Sequence, residues 1–165
     1  MRVTSHFTLK AIAGLALGLC FSLCCIANPT EAEVLAIVVH PDTVVDELTQ
    51  EQLTRIFRAE QQFWPDNSRI TLLIRAPVSA VRTTVLEKIY HMTEAEFRKF
   101  WIAKMFKAEV PSGPRAMYTS GMAISLVSAI PGAITFIPLS NVPENGKILK
   151  VDGKLPGQAG YQLIL

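Results

Sequence analysis

Two arginines and two hydroxyl-bearing residues cluster where a predicted strand is followed by a predicted helix. They are Arg75, Ser79, Arg82 and Thr83, within the stretch TLLIRAPVSAVRTTVLEKIY at 71–90. The first turn of a helix offers free backbone N–H groups and the positive end of the helix dipole, and both favour an anion. Hydroxyls add hydrogen-bond donors, and a guanidinium adds a charged fork of donors. The cluster therefore predicts a site for phosphate, sulfate or a carboxylate.

A simpler interpretation of the same residues remains open on the sequence alone. Ser79 would only cap the helix, as serine commonly does, and the two arginines would be solvated. The stretch contains no glycine-rich loop of the kind that cradles phosphates. Only the placement of these side chains can decide between an anion site and an ordinary helix start.

Other reactive residue types do not form a recognisable site. His40 ends the first predicted strand and precedes a proline, so we interpret it as a loop residue, although that strand end would reach the same crevice in a parallel sheet. His91 has no partner at metal-ligand spacing. Asp42, Asp46 and Glu47 flank a helix start, where the dipole favours negative charge. With no GxSxG motif and no nucleophile beside a base, we expect neither catalysis, nor a cofactor, nor a metal.

Residues 1–27 have the pattern of a secretory signal. Arg2 and Lys10 precede an uncharged stretch at 11–27, which contains all three cysteines of the chain. We predict cleavage after Ala27 or Ala32 and secretion of a mature domain, taken as 28–165. The alternative is a retained membrane anchor, because about 17 residues is the lower limit for a membrane span.

The charge balance argues against nucleic acid as a partner. The chain has 16 basic and 14 acidic residues, for a net charge of +2, and Arg2 and Lys10 account for the excess. Residues 28–165 are therefore balanced, whereas nucleic-acid binding needs a clustered basic excess. Their number suits one domain with a substantial core.

The remaining pattern predicts an α/β fold. Predicted strands at 34–39, 70–75 and 133–138 are apolar throughout, and two later strands are expected at 147–151 and 161–165. Predicted helices lie at 48–57, 79–90, 93–107 and 120–130. Two of them begin with capping boxes, Thr49 with Gln52 and Thr93 with Glu96. Apolar strands that alternate with helices indicate a mostly parallel sheet flanked by helices on both faces.

Two stretches resemble the phosphate-binding subunits of ABC transporters, which have the type II periplasmic binding fold. The first is VVHPDTVVDELTQEQLTRIFRAEQQFWPDNSRI at 38–70, where the matching residues are Leu48, Leu53, Ile56, Phe57, Trp64, Pro65 and Asp66. The second is PGAITFIP at 131–138, where Pro131, Gly132, Ala133 and Ile134 match. Between them, Ser79 and Arg82 fall where small members of this superfamily carry a Ser-x-x-Arg helix start. The resemblance covers roughly 37–152.

This chain also departs from the family pattern. Ala59 stands where the family usually has glycine, and Thr135 and Phe136 replace a Gly-Tyr pair. No Ser-Gly-Thr sequence is present, although the full-length subunits use one to contact phosphate. The length matches one lobe of these two-lobed proteins, so the resemblance implies a half-site.

The resemblance implies a non-catalytic periplasmic protein that binds inorganic phosphate or a similar small anion weakly, in association with phosphate ABC transport. The weakness is expected because exposed charge pairs contribute only about 0–1 kcal/mol each. The alternative is a ligand-free interaction module that docks a membrane or envelope protein. An exposed apolar patch near the Ser79 helix start, where Val78 and Val81 lie, would favour that alternative.

Overall fold

The computed structural model describes residues 33–165. Within them the strands are β1 Leu35–Val39, β2 Glu47–Leu48, β3 Thr71–Arg75, β4 Arg115–Met117, β5 Ala133–Pro138, β6 Lys147–Ile148 and β7 Lys150–Val151. The α-helices are α1 Gln50–Phe57, α2 Ala80–Val85, α3 Glu94–Phe106 and α4 Ser120–Ala129. A π-helical turn, Leu86–Tyr90, continues α2, and a 3-10 turn, Leu139–Asn141, follows β5. The predicted helix at 79–90 is thus present as α2 and its π-helical turn.

The central sheet has the strand order β4-β3-β5-β1-β6. Strand β3 is parallel to β4 and to β5, while β1 is antiparallel to both β5 and β6. Four strands therefore run in one direction and only β1 runs in the other. The predicted α/β class with a mostly parallel, helix-flanked sheet is confirmed. Strands β2 and β7 form a separate parallel pair.

The direction of β1 decides between the two interpretations of His40, a loop residue or a residue of the anion crevice. Leu35 pairs with Pro138 at the far end of β5, and the His40 backbone N–H donates to the Ala133 carbonyl at 3.0 Å. His40 therefore lies at the edge where β5 begins, while Arg75 lies at the edge where β3 ends. His40 does not face the predicted anion crevice. Its Nδ1 instead accepts a hydrogen bond from the Asp42 backbone N–H, as befits a loop residue.

Both predicted capping boxes are present. In α1 the Gln52 backbone N–H donates to the Thr49 hydroxyl at 3.1 Å, and the Thr49 N–H donates to the Gln52 side chain at 2.8 Å. In α3 the Glu96 backbone N–H donates to the Thr93 hydroxyl at 3.3 Å, and the Thr93 N–H donates to the Glu96 carboxylate at 2.8 Å. Local spacing alone therefore predicted where these two helices begin.

Apolar side chains cover both faces of the sheet. One core packs the sheet against α1, α2 and α3, and a smaller core packs it against α4. In β3, Ile74 belongs to the first core and Leu73 to the second, because successive side chains of a strand point to opposite faces. A strand buried on both faces must be apolar throughout, which explains the continuous apolar runs.

The two stretches that resemble phosphate-binding subunits meet in the core. The Trp64 indole N–H donates to the Gly132 carbonyl at 3.1 Å, and the Thr71 backbone N–H donates to the same oxygen at 3.0 Å. Gly132 has a φ of +73°, and a Cβ there would lie 2.2 Å from the Arg69 carbonyl oxygen. Only glycine fits this close approach, so the Trp-Pro-Asp turn and the Pro-Gly strand entry depend on each other.

The last predicted strands form only in part. The run at 147–151 is divided between β6 and β7, while the run at 161–165 contributes one isolated bridge, from Ile164 to Val34. Among residues 33–165 no helix is both long enough and apolar enough to cross a membrane. The predicted signal segment at 1–27 lies outside the described residues.

Candidate functional site

The candidate site lies where β3 ends and α2 begins. Arg75 is the last residue of β3, and a short loop through Pro77 and Val78 leads to Ser79 at the N-cap position of α2. Because β3, β4 and β5 are parallel, their carboxyl ends share one edge of the sheet. This is the edge at which open α/β sheets bind their ligands.

The Arg75 guanidinium has buried hydrogen-bond donors that are unsatisfied within residues 33–165. Its Nε and Nη1 atoms are buried, and neither has a hydrogen-bond partner among residues 33–165. Arg75 lies two residues after Leu73 and beside Met117, both of which belong to the core under α4. Alternation therefore places its side chain on the α4 face of the sheet. A buried charged donor without a partner costs free energy, and an oxyanion would satisfy it.

Ser79 does not cap α2 with its side chain. Its backbone is extended, with φ of −82° and ψ of 134°, as an N-cap requires, yet the hydroxyl makes no capping hydrogen bond. The corresponding hydroxyls of Thr49, Thr93 and Thr119 all accept one from their own helices. The interpretation of Ser79 as a simple cap is therefore wrong for its side chain. Its hydroxyl and the first backbone N–H groups of the helix remain available to a ligand.

The Arg82 guanidinium, predicted to contact an anion, is held by two protein partners. It donates to both carboxylate oxygens of Glu94, at 2.7 and 3.0 Å, and to the Arg75 carbonyl at 2.8 Å. The side chain is only 7% exposed and lies over the Phe97 ring, 4.7 Å from its centroid. The hydrogen bond from Arg82 holds the pKa of Glu94 below its ordinary value. The fork that was predicted to contact an anion is therefore engaged by Glu94 and by the Arg75 carbonyl.

The Thr83 hydroxyl also has a protein partner. It donates to the Ser79 carbonyl at 3.4 Å, one helical turn back along the chain. The side chain lies at a cavity beside α2, together with Arg82 and Val78. Neither Arg75 nor Ser79 lines that cavity. The four predicted residues therefore divide into a pair with unused donors, Arg75 and Ser79, and a pair that binds the backbone of the first two.

The cavity beside α2 has a volume of about 490 Å³ and is unsuited to an anion; we name it the acidic cavity. Its carboxylates are Glu87, Glu94 and Glu96, and its apolar residues are Val78, Leu86 and Met92. Hydrogen bonds from Thr93 hold the pKa of Glu96 below its ordinary value, and Arg82 does the same for Glu94. Both therefore carry negative charge at neutral pH. This charge would repel phosphate and favour a neutral or basic partner.

Val78, which directly precedes the N-cap residue Ser79, has an unusual conformation. It is fully exposed, at 103% of its reference surface, and its backbone has a φ of +73°. A β-branched residue in this left-handed region is strained. Val81, the other apolar residue singled out, is buried instead. No local sequence pattern predicts a positive φ at a valine, so this conformation is known only from the structure.

Two further apolar side chains are exposed at the same edge of the sheet. Tyr118 follows β4 and is 72% exposed, and Met122 lies in the first turn of α4 and is 38% exposed. Together with Val78 we name them the apolar edge patch. Tyr118 directly follows the parallel strand β4, and Met122 lies at the start of the next helix, so both are at the carboxyl edge. Exposed apolar surface at this edge is the feature predicted for an interaction module.

Among residues 33–165 no three His, Cys, Asp or Glu side chains are grouped so that they could hold a metal ion. His91 ends the π-helical turn in the left-handed conformation, with φ of 54°, and lines the acidic cavity.

No family model matches the sequence. The fold nevertheless matches several solved structures. A protein from Clostridium perfringens, assigned as a phosphate ABC transporter substrate-binding protein and solved with bound phosphate, is 22% identical with a TM-score of 0.58. An ABC-type phosphate transport receptor from Vibrio cholerae is 19% identical with a TM-score of 0.60. PstS from Borrelia burgdorferi is 18% identical with a TM-score of 0.59.

These alignments involve most of this chain and a minority of each matched protein. They cover 73%, 74% and 75% of this chain, but 46%, 48% and 49% of the Clostridium, Vibrio and Borrelia proteins. The chain therefore spans about half the length of the structures it matches. At this level of identity the likeness establishes a PstS-like fold.

Proposed function

We propose that this protein is a non-catalytic, single-lobe anion-binding protein that holds inorganic phosphate or a similar small anion at Arg75 and Ser79. The observation that carries the proposal is the Arg75 guanidinium, whose Nε and Nη1 atoms are buried without partners among residues 33–165. The uncommitted Ser79 hydroxyl lies four residues further on, at the start of a helix. One of the structures with this fold was solved with bound phosphate, which supports the same ligand class.

In this proposal Arg82 and Thr83 position the two binding residues. Arg82 donates to the Arg75 carbonyl, and Thr83 donates to the Ser79 carbonyl. Each therefore holds the backbone of one binding residue rather than the ligand. Such support matters because a binding group displaced by even about 1 Å loses much of its effect.

The affinity should be low. A single lobe leaves the anion open to water, which screens each charge contact to about 0–1 kcal/mol. A few such contacts correspond to a dissociation constant of about 1 mM, equivalent to roughly 4 kcal/mol. Association with phosphate ABC transport, through a partner that completes the cleft, is part of the same proposal. So is a periplasmic location, which depends on the signal pattern at 1–27.

The test is calorimetric titration of phosphate into the protein and two variants. Arg75→Gln removes the charged fork, while Arg55→Gln removes an exposed arginine of α1 and serves as the matched control. We expect saturable binding by the parent and the control, and none by Arg75→Gln, with unchanged circular dichroism in all three. Equal binding by Arg75→Gln, or no binding by the parent at tens of millimolar phosphate, would contradict the proposal.

A second candidate function, an interaction module of the cell envelope, is favoured by one observation. The fully exposed Val78 lies on the rim of the acidic cavity, whose lining combines apolar surface with three glutamates. A partner segment with an apolar residue flanked by basic residues would fit that surface. A photocrosslinking residue in place of Val78 should then trap one envelope protein in cells. The same residue in place of Lys150, which is also exposed, should not. Phosphate binding without any specific adduct would favour the first candidate.

A further inference from the structure

A second cavity lies at the opposite edge of the sheet from Arg75. It has a volume of about 250 Å³ and lies between the segment after α1, the start of β3 and the loop that precedes β4. We name it the arginine cavity, after Arg69 and Arg115, which both line it. Arg115 is the first residue of β4, and Thr71, also in the lining, is the first residue of β3. Because β3 and β4 are parallel, this edge is distinct from the edge that carries Arg75 and Ser79.

The charges around the arginine cavity have one sign. Two arginines and no aspartate or glutamate line it. Neither Arg69 nor Arg115 forms a salt bridge or a side-chain hydrogen bond to another residue within 33–165; the guanidinium carbon of Arg69 lies 5.9 Å from the Phe63 ring centroid. Two arginines without an acidic residue in the lining make this concavity positive, and a positive concavity attracts an oxyanion. A guanidinium fork matches the geometry of phosphate and carboxylate oxygens.

The remaining lining residues indicate which group could accompany the oxyanion in a ligand. Ile56, Trp101 and Val110 are buried core residues that also line the cavity and give it an apolar wall. Ser112 and Gln61 are polar members of the same lining. A cavity of about 150 Å³ already accepts a benzene ring. The arginine cavity therefore has room for one ring or a short aliphatic chain beside an oxyanion.

We infer that the arginine cavity binds a small organic oxyanion, a phosphate monoester or a carboxylate with a single apolar group. The inference is independent of the proposed phosphate site, since it involves other residues at the other edge of the sheet. Inorganic phosphate would occupy only the charged half of this cavity. An apolar group in contact with the Trp101 wall would add affinity through burial.

Phenyl phosphate and benzoate are the probes, titrated into isotope-labelled protein. We expect the indole N–H resonance of Trp101 to shift saturably with at least one probe. The indole of Trp64, which donates to the Gly132 carbonyl and does not line the cavity, should not follow it. The two probes distinguish the phosphate ester from the carboxylate. No saturable shift of Trp101 with either probe at tens of millimolar would overturn the inference, whatever happens at Arg75.

Variants separate the two sites. Arg69→Gln combined with Arg115→Gln should weaken binding of the effective probe at least about tenfold, because charge-assisted hydrogen bonds are lost. Both arginines are exposed and unpaired within the described residues, so the fold should be retained. In Arg75→Gln the Trp101 resonance should shift with that probe as it does in the parent, because Arg75 does not line the cavity. If Arg75→Gln abolished probe binding and the double variant kept it, the probe would be occupying the proposed phosphate site and the inference would be wrong.

Discussion

The guanidinium of Arg82 and the carboxylate of Glu94 meet in two hydrogen bonds, 2.7 Å from Nε and 3.0 Å from Nη2. This pair joins α2 to the first turn of α3, and a third bond from Arg82 reaches the Arg75 carbonyl at the end of β3. One of the two arginines predicted to contact an anion thus connects three elements. The neighbouring Arg75, by contrast, keeps buried donors without partners among residues 33–165.

The first prediction concerns stability. Arg82→Ala should lower the free energy of unfolding by about 2–3 kcal/mol, since it leaves Glu94 partly buried without its main partner. Arg98→Ala is the matched control, because Arg98 is largely exposed and reaches Glu94 only at 3.7 Å. The control should lose less than about 0.5 kcal/mol. Urea denaturation measures both, and similar small losses in the two variants would show that the Arg82 pair is not structural.

The second prediction concerns pH. Arg82 holds the pKa of Glu94 in the folded protein below the ordinary value of 4.5, so the unfolded chain takes up a proton at higher pH than the folded protein does. The stabilisation from this carboxylate is therefore complete above pH 4.5 and is lost as pH falls through the lower folded value. Glu94→Gln should be less stable than the parent at pH 7, and the gap should narrow in acid. A gap that stays constant from pH 7 to pH 3 would contradict this account.

The third prediction concerns the strained Val78. Val78→Gly should raise the free energy of unfolding by about 0.5–1 kcal/mol, because relief of a positive φ outweighs the added flexibility of the unfolded chain. Val44→Gly provides the comparison, since Val44 is also exposed but has no positive φ. That variant should be destabilised. Thermal unfolding distinguishes the two, and a loss of stability in Val78→Gly would mean that the strain is absent in solution.

The fourth prediction concerns the contact between the two resemblance stretches. Gly132→Ala should cost about 3 kcal/mol or more, because the new Cβ would lie 2.2 Å from the Arg69 carbonyl oxygen at a positive φ. Gly121→Ala is the control within α4, where the nearest atom to a new Cβ is 4.0 Å away. That change should stabilise the helix by up to about 1 kcal/mol. Comparable melting temperatures for the two variants would contradict the close approach.

Much of the fold could be predicted because its signals are local. The hydroxyl of Thr93 and the carboxylate of Glu96 are three residues apart, so the capping box depends on no distant contact. The direction of β1 could not be predicted in this way. An apolar run such as Leu35–Val39 has the same composition in a parallel or an antiparallel pair, and only its pairing with β5 decides.

The sequence by itself determined the class of the fold, the starts of its capped helices and the residues that gather around the Ser79 helix start. Only the tertiary structure decided which of those residues keep hydrogen-bond donors that no other described residue uses. Glu94 reaches Arg82 because the π-helical turn and α3 bring the chain back, and no spacing rule connects the two. No residue among 33–165 is brought within hydrogen-bond distance of the Arg75 Nε and Nη1 atoms, and no spacing rule predicts that either. Electrostatic pairing depends on distance in space, whereas sequence patterns record only distance along the chain.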